Sequence, residues 1–283
     1  MIDLHTHTNE SDGTYSPFEL VDAAVAIGLE ALAISDHDTL TGYDRALPRA
    51  REKGLDLVCG IELSTKFRGK TVHLLGYFLN EPPADSFRDW IEEMQASRRD
   101  RNVRLAQRLQ SLGIDVKIED VERKGRSLTG RPHFAKAMLE KGYVSSIQEA
   151  FDEFLDESAK GYVDRQEPEL PTGIRRIAAA GGVSSIAHPI RLGYRDPAQL
   201  RALVSDMRNA GLGAIEVYHS DHRPAHVEQY LKLAREFDLA VTGGSDFHGE
   251  VKPGIRLGSG AGGNLNIPRS ILDRLRELQP RVS

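Results

Sequence analysis

The chain has 283 residues, of which 40% are hydrophobic and 28% charged, and its formal net charge is −5. This composition is typical of a globular protein with room for one barrel-type domain or a barrel with an insertion. The acidic balance argues against non-specific coating of nucleic acid. The single cysteine, Cys59, excludes an internal disulfide and a multi-cysteine zinc site.

The first part of the chain alternates short apolar runs with helical patterns. Ser16, Pro17 and Glu19 form the pattern of a capping box at a helix start, and Gly28 marks its end. A second helix is predicted at 41–54. The predicted strands of this part are residues 2–6, 31–35, 57–63 and 71–79.

The middle of the chain is predicted to be helical, and the alternation then resumes. Residues 80–165 have an amphipathic, charged pattern with breaks at Gly113, Gly130 and Gly142. Further strands are predicted at 183–187, 214–218 and 239–242, and further helices near 172–180, 197–210, 224–237 and 269–278. Repeated strand–helix units imply a parallel sheet.

The predicted fold is therefore α/β, a distorted seven-stranded (β/α)7 TIM-like barrel with a helical insertion after the fourth strand. An open doubly wound sheet is the alternative. We expect residues 1–79 and 166–283 to form the barrel and residues 80–165 to form the insertion. No basic leader or apolar run of 18 residues is visible, so we expect a cytoplasmic protein without a signal peptide or membrane span.

Histidines and carboxylates recur where the predicted strands end, and in parallel α/β folds these ends meet at one edge. A single such histidine is usually a hydrogen-bonded structural residue, and a single acidic loop residue is usually solvated. The coincidence of nine indicates a metal site. The nine are His5, His7, Asp12, His37, Glu62, His73, His188, Asp246 and His248.

Nine nitrogen and oxygen ligands exceed the needs of one tetrahedral ion, so two or three divalent ions are expected. Imidazole with carboxylate suits Mn, Fe or Zn, and we expect manganese first. Asp3, Asp36 and Asp38 are predicted to orient the ligating imidazoles. The ions outnumber the carboxylate charges, and such a positive centre favours a phosphate attacked by metal-bound hydroxide.

This constellation resembles the polymerase and histidinol phosphatase (PHP) family of phosphoesterases. The matching motifs are His5-Thr6-His7, Asp12, Asp36-His37-Asp38, Glu62, His73, Ala187-His188-Pro189 and Ser245-Asp246-Phe247-His248. The resemblance implies a trinuclear centre. His5, His7, Glu62 and Asp246 would hold one ion, and Glu62 would bridge to a second held by His73 and His188. Asp12, His37 and His248 would hold the third, and Asp12, His37, Asp246 and His248 would take part in catalysis.

The insertion carries basic residues suited to a phosphorylated substrate. Arg98 and Arg101 share a helix face, and Arg131 and His133 begin another helix. A solvated charged helix is the alternative explanation of the arginines. The chain is most similar to the family subgroup of nucleoside 3′,5′-bisphosphate phosphatases and of exonucleases that trim short RNA from its 5′ end. That similarity implies removal of a 3′-phosphate, with the arginines on the 5′-phosphate, and His133 is an alternative proton donor to the leaving oxygen.

The expected partner is thus a small phosphorylated nucleotide or a short oligonucleotide, without membrane or stable duplex binding. A histidinol-phosphate phosphatase and a non-catalytic PHP module are the other readings. His219, His222 and His226 are expected at the surface or rim. Residues 258–263, rich in glycine, are predicted to be a flexible linker, and Cys59 is predicted to be inert core.

Overall fold

Seven strands in chain order form the sheet of the computed structural model, which describes residues 1–122, 129–194 and 196–278. The strands of this sheet are β1 (Ile2–Asp3), β2 (Ala31–Ile34), β3 (Asp56–Phe67), β4 (Lys70–Phe78), β5 (Val183–Ile186), β6 (Ala214–His219) and β7 (Ala240–Gly244). A separate hairpin pairs β8 (Ile255–Arg256) with β9 (Gly260–Ala261).

Helices surround the sheet and fill the span between β4 and β5. The barrel helices are α1 (Pro17–Ala26), α2 (Thr41–Lys53), α7 (Leu170–Ala179), α8 (Pro197–Asn209), α9 (Pro224–Glu236) and α10 (Ser270–Leu278). The helices of the insertion are α3 (Asp85–Ser111), α4 (Ile118–Glu122), α5 (Arg131–Glu140) and α6 (Ile147–Ala150), which continues into a π-helical turn at Phe151–Leu155. The helical prediction for 123–128 lies outside the described residues.

The sheet closes on itself, so the barrel prediction is confirmed and the open-sheet alternative is wrong. Beyond β1 and β7 the two chain segments continue side by side: His7 N donates to Phe247 O at 2.9 Å and Asp246 N to His5 O at 2.8 Å. Gly244 permits this approach, because a Cβ there would lie 2.3 Å from the backbone nitrogen of His5.

The prediction of a parallel sheet is wrong for one strand. β4 is antiparallel to both β3 and β5, whereas the other neighbours are parallel. The cause is the two-residue connection Arg68-Gly69, with φ of 51° and 79°, because so short a turn can join only antiparallel strands. As a result β4 begins, rather than ends, at the edge where the parallel strands finish.

Two local predictions illustrate how the sequence sets helix and loop ends. At α1 the hydroxyl of Ser16 accepts from Glu19 N and the Glu19 carboxylate accepts from Ser16 N, so the predicted capping box is confirmed. The predicted flexible linker at 258–263 is wrong. This segment contains β9 of the small hairpin, and Gly258 N donates to the buried Asp3 carboxylate at 2.8 Å.

Helix α3 joins the barrel to the insertion. In its first half Phe87, Trp90, Ile91 and Met94 pack into the hydrophobic core that lies outside β3 and β4. In its second half Leu105, Ala106 and Leu109 belong to a separate core built by the insertion helices. One apolar stripe at helical spacing therefore serves two cores. No helix in the described ranges is both long and apolar enough to span a bilayer.

Candidate metal centre

Nine polar side chains converge at the mouth of the barrel, and they are the nine that the sequence singles out. Their ligand atoms group into overlapping sets whose members lie within 4.8 Å of one another. These sets are His5, His7, Glu62 and Asp246; His7, Asp12, His37 and His248; and His37, Glu62 and His73. His188 joins through its Nε2, which is 2.9 Å from Glu62 Oε1.

Glu62 is the hub of this arrangement. It lies within β3 rather than at its end, and is almost fully buried. Its two oxygens face five imidazole nitrogens at 2.9 to 3.3 Å, those of His5, His7, His37, His73 and His188. Because each oxygen faces a different set of rings, this carboxylate has the geometry to bridge two cations. His73 reaches the group only because β4 runs antiparallel.

Strained backbone turns two of the nine side chains inward. His188 has φ of 27° and Asp246 has φ of 57°, both in the left-handed region that non-glycine residues rarely adopt. Asp38, beside the cluster, has φ of 50°. These three are among five non-glycine residues with positive φ in the described part of the chain. Such strain persists only where the surroundings impose it, and it is concentrated at this mouth.

The nitrogen atoms of the cluster fit a cation. His5 Nδ1 lies 2.9 Å from Glu216 Oε1, so Nδ1 carries a proton, and in the neutral ring Nε2 presents a lone pair. That lone pair faces two carboxylate oxygens, of Glu62 at 3.3 Å and of Asp246 at 3.6 Å. Further buried nitrogens without a hydrogen-bond partner among the described residues are both of His7, His37 Nδ1 and His73 Nδ1. Imidazole lone pairs and carboxylate oxygens that face each other repel unless positive charge lies between them. Divalent ions supply that charge.

Charge effects agree with this reading. Burial raises the pKa of Glu62, but the imidazoles of His37, His73 and His5 outweigh it and hold that pKa well below its usual range. Burial lowers the pKa of His37 to about 3, so this ring is neutral and its lone pair is available. Burial also lowers the pKa of His7, but Asp246 and Glu62 raise it to about 9. Without a cation, the carboxylates thus draw a proton onto His7.

The predicted supporting role of Asp3, Asp36 and Asp38 is wrong. None of these carboxylates is hydrogen-bonded to an imidazole of the cluster in the described chain. Instead they tie loops together: Asp3 accepts from Ser245 and Gly258, Asp36 from Thr8 and Ser11, and Asp38 from Ser64, Arg98 and Arg165. An aspartate side chain is short, and the nearest donors to these three carboxylates are backbone amides, hydroxyls and guanidinium groups rather than imidazoles.

The carboxylate that does orient ligands is Glu216, which sequence reasoning missed. It is fully buried in β6, where Oε1 accepts from His5 Nδ1 at 2.9 Å and Oε2 accepts from His188 N at 2.6 Å. The signal was present, because Glu216 is an acidic residue inside the apolar run Ala-Ile-Glu-Val-Tyr. A buried carboxylate in such a strand requires a partner.

We expect Glu216→Gln to weaken metal binding about 10- to 100-fold. Glutamine is neutral and has one side-chain oxygen, so it cannot accept from both His5 Nδ1 and His188 N. The tautomer of the His5 ring is then no longer fixed. The metal dissociation constant is measured by calorimetric titration of chelator-stripped protein with metal. Glu228→Gln, an exposed change on α9, is the control and should bind as wild type does. Equal affinity of all three proteins would contradict the role given to Glu216.

The expectation for His219 and His222 is wrong, because both are buried rather than at the surface. His219 Nδ1 accepts from Asp221 N at 3.0 Å, which leaves the proton on Nε2, 3.5 Å from Asp246 Oδ2. His222 Nδ1 donates to Val217 O at 2.8 Å. His219 therefore lies behind a cluster carboxylate, whereas His226 is partly exposed.

Cys59 is buried, and burial raises the pKa of its thiol, so its prediction as inert core is consistent with the structure.

A cavity of about 180 Å³ extends from the cluster to a group of arginines. Its lining includes Asp12, His37 and His73 of the cluster together with Arg98, Arg101, Arg131 and Arg165. Arg165 was not predicted, since it lies in the irregular segment before α7. His133 does not line this cavity: it is buried, and its Nδ1 accepts from Gly130 N at 3.1 Å. Its role as a proton donor stays a prediction.

Positive charge in this cavity exceeds the negative charge that balances it. Arg98 and Arg165 share Asp38, and Arg165 also contacts Glu167 at 3.2 Å. Arg101 and Arg131 make no ion pair with any described carboxylate and contact Asn102 and the Leu155 carbonyl instead. Burial, aided by the neighbouring arginines, lowers the pKa of Arg101 to about 9. The cavity therefore suits an anionic group.

Together, the closed barrel and its histidine–carboxylate mouth define a metal-dependent hydrolase. Residues 3–164 match the model of the PHP domain, and the chain belongs to that family. The recognition made from the sequence motifs is thus confirmed.

Relatives span nearly the whole chain. A 5′-3′ exoribonuclease of Haemophilus influenzae is 33% identical over 248 residues, 87% of this chain and 89% of its own length. A 3′,5′-nucleoside bisphosphate phosphatase of Chromobacterium violaceum is 29% identical over 99% of this chain and 97% of its own length. A solved structure from Bifidobacterium adolescentis, described as a candidate metal-dependent phosphoesterase, has a TM-score of 0.85 and 31% identity, with coverage of 99% and 97%.

Proposed function

We propose that this PHP phosphoesterase removes the 3′-phosphate of nucleoside 3′,5′-bisphosphates and leaves the 5′-nucleotide. The observation that carries the proposal is a cavity whose lining contains both residues of the histidine–carboxylate cluster and four arginines. A substrate with two phosphates matches both ends of this cavity. The similarity to the Chromobacterium bisphosphate phosphatase over almost the full length supports it.

The nine clustered residues are proposed to hold three ions in the sets expected from the family. One set is His5, His7, Glu62 and Asp246, the second is Glu62, His73 and His188, and the third is Asp12, His37 and His248. Bound there, the ions supply a Lewis acid and a source of hydroxide near neutral pH. The donors are nitrogen and oxygen without thiolate, which suits manganese, with iron and zinc as alternatives.

The chain's own residues position the substrate. The arginines at the far end of the cavity are proposed to hold the 5′-phosphate through paired N–H donors, because guanidinium forks match phosphate oxygens. All four, Arg98, Arg101, Arg131 and Arg165, come from residues 80–165, which we propose to be the specificity domain of the barrel formed by 1–79 and 166–283. Two anchored phosphates fix the 3′-ester against the cluster, and positioning of this kind contributes strongly to rate.

A second candidate substrate is short RNA with a 5′-phosphate, favoured by the similarity to the Haemophilus exoribonuclease. Removal of the first nucleotide as a 5′-nucleotide breaks the same bond, between phosphorus and O3′ of a nucleoside that carries a 5′-phosphate. The two activities therefore differ in what else is attached to the phosphorus that is attacked. Both require the arginine end of the cavity, and neither requires a nucleophilic side chain.

The test is a comparison of product release with Mn²⁺ from matched substrates. Adenosine 3′,5′-bisphosphate is expected to exceed adenosine 3′-monophosphate in kcat/KM by about a hundredfold, since the arginine contacts are lost in the latter. 5′-Phosphorylated diadenylate tests the RNA activity, and histidinol phosphate tests the third family activity. Equal rates with the 3′-monophosphate, or preference for histidinol phosphate, would reject the proposal. Fewer than one equivalent of bound metal in correctly folded protein would indicate a non-catalytic module.

We expect Arg101→Ala to raise KM for the bisphosphate about tenfold or more while kcat changes little. Arg101 has no carboxylate partner in the described chain, so its removal costs substrate contacts rather than an internal ion pair. Steady-state kinetics on the bisphosphate and the 3′-monophosphate measure the effect, which should be absent with the latter. Arg99→Ala, an exposed neighbour on α3, is the control. An equal loss with both substrates would show that Arg101 does not bind the 5′-phosphate.

A further inference from the structure

Two cavities meet at Phe151. The first leads from the cluster to the arginines, and the second lies directly over Glu62, His188 and Asp246. The residues that line both are Asp12, His37, His73, Pro132 and Phe151. The carboxylate and the two imidazoles belong to the metal cluster. Phe151 is therefore the aromatic side chain at the junction that the cluster does not use.

A π-helical turn holds Phe151 at this point. The backbone of the turn closes through a bond from Asp156 N to Phe151 O at 2.9 Å, five residues apart. Phe154 and Leu155 of the same turn are buried in the insertion core, while Phe151 is only partly buried. The Arg131 guanidinium donates to Leu155 O at 3.2 Å. The turn thus fixes an arginine of the cavity and an aromatic ring relative to each other, and π-turns are frequently found at functional sites.

Apolar side chains continue from Phe151 around the second cavity. Ile147 is 37% exposed at the start of α6 and Val251 is 43% exposed on the barrel side. Both are among the few large apolar residues that the described chain leaves exposed. The other lining residues of this cavity are mainly charged or are the imidazoles of the cluster. A ligand made of phosphate and sugar alone would leave this apolar rim in contact with water.

We propose that Phe151, with Ile147 and Val251 beside it, forms a stacking subsite for the nucleobase of the substrate. This inference rests on the proposed function, because it places the base of a nucleoside whose phosphates lie at the cluster and at the arginines. A flat, polarisable base covers an aromatic ring and an aliphatic rim, and such stacking depends little on which base is present. The subsite therefore selects nucleosides over other phosphoesters without selecting among the bases.

The experiment compares adenosine 3′,5′-bisphosphate with its abasic analogue, which keeps both phosphates on a sugar that has hydrogen in place of the base. Phe151→Ala is expected to lower kcat/KM for the adenosine compound about 10- to 100-fold and for the abasic compound less than about threefold. Wild-type enzyme should prefer the adenosine compound by the same factor. Phe151→Tyr, which keeps the ring, should retain activity within about threefold on both.

Tyr143→Ala, an exposed aromatic of the insertion outside the two cavities, is the control for loss of an aromatic side chain. If Phe151→Ala lowers both activities equally, the residue is structural and the subsite is overturned while the proposed function stands. No loss with either substrate overturns the subsite as well. If wild-type enzyme hydrolyses neither bisphosphate, the proposed function is wrong and the subsite falls with it.

Discussion

Asp246→Asn is expected to lower kcat/KM for phosphoester hydrolysis by about a thousandfold or more, which corresponds to roughly 4 kcal/mol. Asp246 Oδ1 faces His5 Nε2 at 3.6 Å and His7 Nε2 at 3.3 Å, where we propose that an ion binds. Oδ2 contacts Arg191 at 2.9 Å and Lys252 at 2.7 Å. Burial raises the pKa of Asp246, but these two cations hold it well below its usual range, so the group is ionised. The amide of asparagine lacks this charge. Its N–H groups would face either the imidazole nitrogens of His5 and His7 or the cationic groups of Arg191 and Lys252.

Activity and metal content of the Asp246→Asn protein should fall together, while circular dichroism shows a folded chain. Asp221→Asn is the matched control, since Asp221 binds the same Arg191 but is 43% exposed and outside the cluster. Its activity should stay within about threefold of wild type. Turnover near the wild-type rate by folded Asp246→Asn would be incompatible with the proposed centre.

Asp38→Asn is expected to destabilise the fold by about 3 to 5 kcal/mol. Asp38 is fully buried and is the shared partner of the Arg98 and Arg165 guanidinium groups, which are themselves nearly buried. The amide leaves two buried cations without their common anion, and it also replaces the acceptor that Ser64 N uses at 2.8 Å. Denaturant unfolding monitored by Trp90 fluorescence measures the loss.

The matched control is Asp44→Asn, which breaks the exposed pair with Arg88 and should cost about 1 kcal/mol or less. The pH dependence has a defined sign. Burial raises the pKa of Asp38, but Arg98 and Arg165 lower it well below its usual range. Its contribution is therefore complete above the unfolded value of about 3.9 and is lost as the pH falls below it. A difference in the free energy of unfolding of less than about 1 kcal/mol at pH 7 would show that Asp38 is not needed to balance the charges of Arg98 and Arg165.

The barrel and the converging residues could be predicted because both follow from local patterns. Strand-end residues meet wherever parallel strands close into a barrel, so His5, His37 and His248 are brought together whatever the details of packing. Capping at Ser16 and Glu19 depends on four consecutive residues and needs no tertiary information. The direction of β4 was not predicted, because the predicted strands 57–63 and 71–79 leave residues 64–70 between them, whereas the structure leaves only Arg68-Gly69.

Other features depend on distances between elements far apart in sequence. Glu216 contacts His5 across 211 residues, and only the closed barrel puts its carboxylate against that ring. The motif suggests that Asp38 supports a ligand, yet in the folded chain it pairs with Arg98 and Arg165, both of which lie within residues 80–165. Arg165 lies in an irregular segment without a periodic pattern. Charge and burial decide these cases, and both are properties of the folded chain.

The reversed strand has a consequence for how the chain can change in length. β4 leaves the mouth at His73 and finishes at the far rim, where Phe78 touches Phe87 at a ring distance of 5.2 Å. Helix α3 must then climb back to deliver Arg98 to Asp38, a rise of about 20 Å over thirteen residues. The length of this half of α3 therefore fixes the positions of Arg98 and Arg101. One added residue would rotate both side chains by about 100° around the helix axis, away from the cavity. We expect homologous chains to gain and lose residues after Ser111, and to keep the count between Asp85 and Arg98 constant.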